Sequence, residues 1–257
     1  MASEVMFVKN NQQIKGAFLV VLCMVSVSAI TSTAIGQEFR ITTNVYLEQE
    51  EKPISTNLTL FSDSVIYDFV EASGGEVTVF DLNRGRIVLL NPAKQIKTTL
   101  TTEFLLMYVK QLRQNASEET NNKLFNANLT EDAEVGTKRF SVSSDNLTYT
   151  VEGAAAKFPS AVKRFQYFAD WFARLNATRI GNLPPQARIR INQVVADHKM
   201  IPESVTRVLK AGIRRQVVRA THNTNWLWTN TDRKRIADVS NQLAKYKEVA
   251  HDAYFSR

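Results

Sequence analysis

Histidine and cysteine, the residue types that most often carry catalysis or bind transition metals, are few and scattered in this sequence. The three histidines, His198, His222 and His251, fall on three separate predicted elements, and the one cysteine is Cys23. A catalytic triad or a zinc site would need such residues to converge. No phosphate-binding loop, G-x-G-x-x-G, H-E-x-x-H, G-x-S-x-G or C-x-x-C motif is present. We therefore predict no recognisable catalytic site, no metal site and no cofactor.

Carboxylates that stand close together could form a pair for acid–base chemistry. Glu50 and Glu51 lie in one predicted turn, and Asp63 and Asp68 lie at or beside the next. Aspartate is common at turns because its side chain hydrogen-bonds nearby backbone groups. We interpret these residues as turn residues, and an acid–base pair among them stays an alternative.

Aromatic residues cluster on one predicted helix. Phe165, Phe168 and Phe172 recur at helical spacing, and Tyr167 and Trp171 lie beside that stripe. The stripe fits a helix that packs on the core, and it also fits a wall that contacts an apolar ligand. We favour the core and keep the wall as the alternative.

Trp226 and Trp228 flank Leu227 near a predicted loop. If this piece is extended, its period of two places both indole rings on one side. An exposed tryptophan pair can stack on sugar rings or lie at a membrane interface, whereas a buried pair would pack under the last helix. We treat both residues as candidates for ligand binding.

Charge is divided unequally along the chain. Residues 37–157 include 12 basic and 17 acidic residues, whereas residues 158–257 include 18 basic and 7 acidic residues. Arg214, Arg215 and Arg219 crowd one predicted hairpin of the basic half. Such a cluster attracts anions, so these arginines are candidate ligands for a lipid head group or an anionic polymer. No aromatic-interleaved motif for nucleic acid accompanies them, and solvated basic faces are the alternative.

The N-terminal segment has the three-part pattern of a secretory signal peptide. Lys9 and Lys15 precede an uncharged apolar stretch at residues 16–30, and small residues surround a cut after Gly36. The apolar stretch has 15 residues, fewer than the roughly 20 of a membrane-spanning helix. We predict a signal peptide over residues 1–36 and export to the periplasm or the exterior. An uncleaved N-terminal anchor is the alternative.

The rest of the chain has the composition of a folded protein, with 44% hydrophobic and 22% charged residues overall. Alternating apolar and polar residues predict a β-meander over residues 38–100. Helices are predicted over residues 101–114 and 186–200, after Pro159 and after Thr229, with hairpins between them. The apolar stripe of the first helix would be Phe104, Met107, Tyr108 and Leu112.

This order predicts one α+β domain over residues 37–257. Its core would be an antiparallel β-meander, in the form of a curved sheet or half-barrel, with helices packed on one face. Apolar residues alternate with polar ones along these strands, so one face of the sheet would be covered, and the other would contact solvent or line a cavity.

One predicted hairpin carries a family resemblance. Its first strand, residues 79–82, ends near Asp81, and its second, residues 86–90, is a short apolar run before Asn91 and Pro92. Together with the order of meander, inserted helix, hairpins and closing helix, it resembles the half-open β-barrels of exported bacterial carriers of the LolA and LppX type. The resemblance covers most of the chain after residue 36. It implies a concave sheet face that holds an acyl chain, and it assigns no individual binding residue.

Three functions stay open on the sequence. We favour a non-enzymatic exported protein that binds an apolar or lipid-like ligand, or an anionic envelope polymer. The alternatives are a structural or interaction protein of the envelope and a hydrolase with an unrecognised site. A carrier predicts an apolar cavity between sheet and helices, an enzyme predicts converging titratable groups, and a scaffold predicts a filled interior.

Overall fold

The computed structural model describes residues 37–125, 128–133, 136–179 and 181–255, and the predicted signal peptide lies outside these described residues. The strands are β1 (Phe39–Leu47), β2 (Ser55–Phe61), β3 (Val65–Val70), β4 (Val77–Asp81), β5 (Arg86–Asn91), β6 (Ile96–Thr101), β7 (Thr130–Ala133), β8 (Arg139–Ser143), β9 (Leu147–Ala155), β10 (Met200–Ala211), β11 (Arg214–Asn225) and β12 (Lys247–Glu248). The helices are α1 (Thr102–Asn115), α2 (Glu118–Thr120), α3 (Pro159–Ala177), α4 (Gln186–Asp197), α5 (Asn230–Lys245) and α6 (His251–Phe255).

The strands form one twelve-stranded sheet in the order β12-β6-β5-β4-β3-β2-β1-β11-β10-β9-β8-β7. Every neighbouring pair is antiparallel except the short β12, which runs parallel to β6. Strands β1 to β6 form the predicted meander, and β1 pairs along its length with β11, from Arg40 opposite Asn225 to Leu47 opposite Val218. The sheet is curved and open, so the predicted α+β class with an antiparallel meander is confirmed.

Helices α3 and α4 cover one face of the sheet. Pro159 lies in the first turn of α3, where its missing N–H leaves no hydrogen bond unmade. Phe168 of α3 packs edge-on against the rings of Phe61 and Phe80, at centroid distances of 5.5 Å and 5.1 Å. Helix α4 packs in a second apolar cluster with β8, β9 and β10. For α3 and α4, this is the arrangement of helices on one face that the sequence predicts.

Helix α5 adds a layer on the opposite face of β2 to β5. Its buried Val239 packs in one cluster with Leu58 of β2, Val77 of β4 and Leu90 of β5. The helix lies there because these strands carry apolar side chains at successive positions, and successive side chains of a strand point to opposite faces. Both faces of the meander are therefore covered at these strands.

The residue range predicted for α1 is close to the observed one, but the predicted buried face is wrong. Leu105 is fully buried, whereas Phe104 and Met107 are 38% and 60% exposed. Their spacing is helical, yet α1 contacts the rest of the protein along a different line. Among the described residues, no helix has the length and apolar character needed to span a membrane.

Candidate functional site

A cavity of about 440 Å³ lies between the sheet and α3. Ile41, Thr43 and Val45 of β1 form part of its floor, because every second side chain of a strand points to the same face. The volume falls within the roughly 300–1,000 Å³ that small-molecule sites usually have.

Aromatic side chains connect this cavity to the main apolar cluster. The rings of Phe39 and Phe61 are stacked at a centroid distance of 4.2 Å, and both side chains are fully buried. Phe165, Phe168 and Phe172 of α3 line the cavity and also belong to the main apolar cluster or pack against it. The aromatic stripe of α3 thus serves as core and as cavity wall, so both interpretations of the sequence apply.

Asp68 of β3 lies on the wall formed by β2 and β3. Its carboxylate accepts hydrogen bonds from Thr59 Oγ1 at 2.7 Å and from Asn57 Nδ2 at 2.9 Å. Burial raises the pKa of Asp68 to about 6, against the lowering effect of these two hydrogen bonds. The predicted turn position of Asp68 is therefore wrong, because the residue is buried within a strand.

The same side of the cavity holds an ion pair that ties α6 to the sheet. Glu76 pairs with Arg179, which follows α3, and also accepts a hydrogen bond from the hydroxyl of Tyr254 at 3.1 Å. Burial and the negative charge of Glu76 raise the pKa of Tyr254. The charges of Glu76 and Arg179 thus offset each other at the cavity.

The opposite wall carries positive charge. Arg188 of α4 lies over the ring of Tyr149 of β9, with its guanidinium carbon 5.9 Å from the ring centroid. Burial lowers the pKa of Arg188, and it raises the pKa of Tyr149 although Arg188 and Arg207 act in the other direction. Arg188, Tyr149 and Arg207 of β10 all line the cavity.

His222 of β11 completes this wall. Its Nδ1 lies 2.9 Å from Thr43 Oγ1, and its Nε2 is buried without a hydrogen-bond partner among the described residues. Burial, and then the charge of Arg188, lower the pKa of His222 to about 3. The ring is therefore neutral at pH 7, and it lines the cavity with an unpaired, buried Nε2.

The structure separates the two tryptophans that the sequence groups as candidates. Trp226 packs against Phe39 and Phe158 on the cavity side of the sheet. Trp228 packs in the cluster under α5, and its Nε1 donates to the carbonyl of Phe39 at 2.9 Å. The two indole rings do not lie on one side as predicted, because the chain bends after β11 and is not extended there. Neither residue lines the cavity.

The three candidate arginines lie together on β11, but outside the cavity. Arg214, Arg215 and Arg219 are exposed. Arg219 lies over the ring of Tyr46, with its guanidinium carbon 4.8 Å from the centroid. Their binding of a lipid head group or an anionic polymer stays a prediction.

The sequence did not predict that the polar residues Asp68, Arg188 and His222 line one cavity. In β3, the period of two places Asp68 on the same face as Ile66 and Val70. This face was overlooked because Tyr67 and Phe69 form an apolar pattern on the other face. For Arg188 and His222 no local pattern exists, because α4 and β11 meet only through the tertiary fold.

Comparison with known proteins adds little to this geometry. The sequence matches no protein-family profile and no curated protein. The fold is similar to a solved structure titled "Structure of PNGF-II in P21 space group", with a TM-score of 0.38 and 12% identity over 85% of this chain and 32% of that chain. This chain thus spans about a third of the length of that protein. A likeness at this level carries no functional argument, and the resemblance to the LolA and LppX carriers stays a prediction.

Proposed function

We propose that this protein binds a lipid-like ligand without changing it chemically, with the apolar part of the ligand in the cavity between the sheet and α3. The observation that carries the proposal is the cavity of about 440 Å³, walled by aromatic and aliphatic side chains. Each Å² of apolar ligand surface that leaves water contributes about 25 cal/mol. A purely structural role would predict a filled interior at this place.

The titratable groups of the cavity favour binding over hydrolysis. A general base works best when its pKa lies near the working pH, and the pKa of His222 is about 3. The pKa of Asp68, about 6, lies nearer the working pH, but its carboxylate is already engaged by hydrogen bonds from Thr59 and Asn57. These contacts support a wall that orients a ligand rather than a nucleophile with its base.

We also propose that the protein acts after export, in the periplasm or outside the cell. The support is the signal-peptide pattern of residues 1–36. A carrier that works beyond the cytoplasmic membrane would meet lipid-like ligands there. The mature chain would begin at Gln37.

Filling the cavity tests the proposal. N-phenyl-1-naphthylamine, a neutral apolar dye whose fluorescence rises out of water, should bind the wild-type protein with one saturable site. Ala173 of α3 lines the cavity, so Ala173→Phe should weaken dye binding by about tenfold or more, since a ring then occupies the ligand's space. Fluorescence titration measures the dissociation constant, and circular dichroism verifies that the variant is folded.

Ala133→Phe is the matched control, because Ala133 is exposed on the edge strand β7 and does not line the cavity. It should bind the dye as the wild type does. If the wild type does not bind the dye, or if a folded Ala173→Phe binds it equally well, the proposal is wrong.

A further inference from the structure

The cavity contains an arginine, Arg188, that makes no ion pair with any residue that the structure describes, although the charge of Asp170 acts on it. Arg188 lines the cavity and contacts the face of Tyr149. Among the described residues, it makes no ion pair and no hydrogen bond. Arg188 is half-buried. Partial removal of a guanidinium from water without a close partner costs free energy, and an anion in the cavity would offset that cost.

Two further side chains of the same wall each have one nitrogen atom without a hydrogen-bond partner among the described residues. Arg207 Nε and His222 Nε2 are both buried without a hydrogen bond among the described residues. Arg207 is held in place by its Nη2, which donates to Gln216 Oε1 at 2.9 Å. His222 is held by Thr43. Both side chains line the cavity and are held in position, and each has an unpaired nitrogen just beneath the cavity surface.

The carboxylates near the cavity are engaged elsewhere. Asp170 of α3 feels the charge of Arg188, but its Oδ1 accepts a hydrogen bond from Asn192 Nδ2 at 2.8 Å. Asp68 and Glu76 have their own partners on the other wall. The charge of the Arg188 wall is therefore not neutralised by a direct ion pair within the part of the chain that the structure describes.

The start of α4 adds to the positive potential. Pro184 and Pro185, which precede this helix of 12 residues, line the cavity beside Arg188. The N-terminal end of a helix carries a partial positive charge, equivalent to about half an elementary charge. The helix thus acts in the same direction as the arginines.

We propose that Arg188, with Arg207 and His222, binds the anionic head group of the ligand, so that the ligand is a single-chain amphiphile that ends in a carboxylate. This inference rests on the proposed function, because the apolar chain would occupy the Phe165–Phe172 side of the same cavity. A guanidinium can donate two parallel hydrogen bonds to one carboxylate, which makes that head group a good fit. One chain suits a volume of about 440 Å³, which is in the lower part of the usual range.

Displacement of the neutral dye by a series of twelve-carbon compounds tests this assignment. The probes are dodecanoate, 1-dodecanol and dodecylammonium, which share the chain and differ in head-group charge, and acetate, which has the head group without the chain. Dodecanoate should displace the dye at a concentration about tenfold or more below that needed for the other three.

Arg188→Met keeps an unbranched apolar side chain and removes the charged guanidinium. It should weaken dodecanoate binding by about 10- to 100-fold, the range for loss of a charge-assisted hydrogen bond, and leave dodecanol within about threefold of wild type. Arg190→Met is the control, since Arg190 lies on the same helix, is exposed and pairs with Glu131 outside the cavity. If Arg188→Met does not fold, Arg207→Met takes its place, with the same selective loss expected.

The outcomes separate the two proposals. If dodecanoate and dodecanol bind equally, or if dodecylammonium binds best, the head-group assignment is wrong although the apolar site stands. If acetate competes as well as dodecanoate, the wall binds small anions and the ligand is no amphiphile. If neither the dye nor any twelve-carbon probe binds, the proposed function and this inference are both wrong.

Discussion

Asp68 is the residue whose burial has the clearest consequence in solution. Because burial raises its pKa to about 6, the folded protein holds a proton on this carboxyl more tightly than the unfolded chain, where the pKa is about 3.9. The stability that results is fully present below about pH 4, and it is lost as the pH rises through 6. Asp68 thus makes the fold more stable in mild acid than at pH 7.

The variant Asp68→Asn should remove this pH dependence. Between pH 7 and pH 4 the wild type should gain up to about 3 kcal/mol of unfolding free energy from Asp68, and the variant should lack that gain. Urea denaturation at several pH values measures the difference between the two proteins.

Asp145→Asn is the control, because Asp145 is exposed in the turn between β8 and β9. It should keep the wild-type dependence on pH. Parallel curves for the wild type and Asp68→Asn would show that Asp68 does not carry this effect.

Single residues could be predicted from the sequence where local spacing decides their environment. Phe165, Phe168 and Phe172 follow helical spacing, and all three are buried or half-buried as that spacing predicts. Arg188 could not be predicted, because its partner surface is Tyr149 on a distant strand. Its position depends on how α4 packs on β9, which no local pattern encodes.

Among the secondary-structure elements, helix α5 has a start that is determined by a short motif at its N-terminus. The side chain of Thr229 accepts a hydrogen bond from the backbone N–H of Asp232, and Asp232 accepts one from the backbone N–H of Thr229, which forms a capping box. Asp232 also accepts two bonds of 2.9 Å from Arg40 of β1. The cap therefore joins the start of α5 to the sheet.

Asp232→Ala should destabilise the protein by about 2–4 kcal/mol, since it removes a helix cap and leaves Arg40 without its partner. Asp238→Ala, on the exposed side of the same helix, should change stability by less than about 0.5 kcal/mol. Urea denaturation of the two variants at pH 7 measures both values. Equal losses in the two variants would contradict the role given to the cap.

The pKa of Asp232 gives this contact a pH dependence opposite in sign to that of Asp68. Burial acts to raise the pKa of Asp232, but hydrogen bonds from Thr229 and Arg40 outweigh burial and leave it below 3.8. Its stabilising contribution is therefore present above the pKa of the unfolded chain and is lost as the pH falls through the folded pKa.

Most elements could be predicted because their signals are local. The capping box of α5, the proline of α3 and the alternation of β1 each lie within a few residues, and all three elements form as predicted. The edge strands β7 and β12 were missed, because each is short, exposed and defined only by its neighbour in the sheet.

In the whole molecule, the cavity depends on the pairing of β1, the first strand of the meander, with β11. Pairing of β1 with β11 brings Thr43 opposite His222 and joins the acidic and basic halves of the chain in one sheet. Residues distant in sequence thus form opposite walls of one space. The sequence predicts the class of fold, whereas the cavity follows from this long-range pairing and from the placement of α3 across it.

Native mass spectrometry of the exported protein, purified without detergent from cells that make the full chain, tests the central claim that this cavity holds an amphiphile. We expect the mass of a polypeptide that starts at Gln37, with one bound amphiphile that the Ala173→Phe variant lacks. A protein that carries no such molecule, and that takes up none when dodecanoate is added, would contradict the claim.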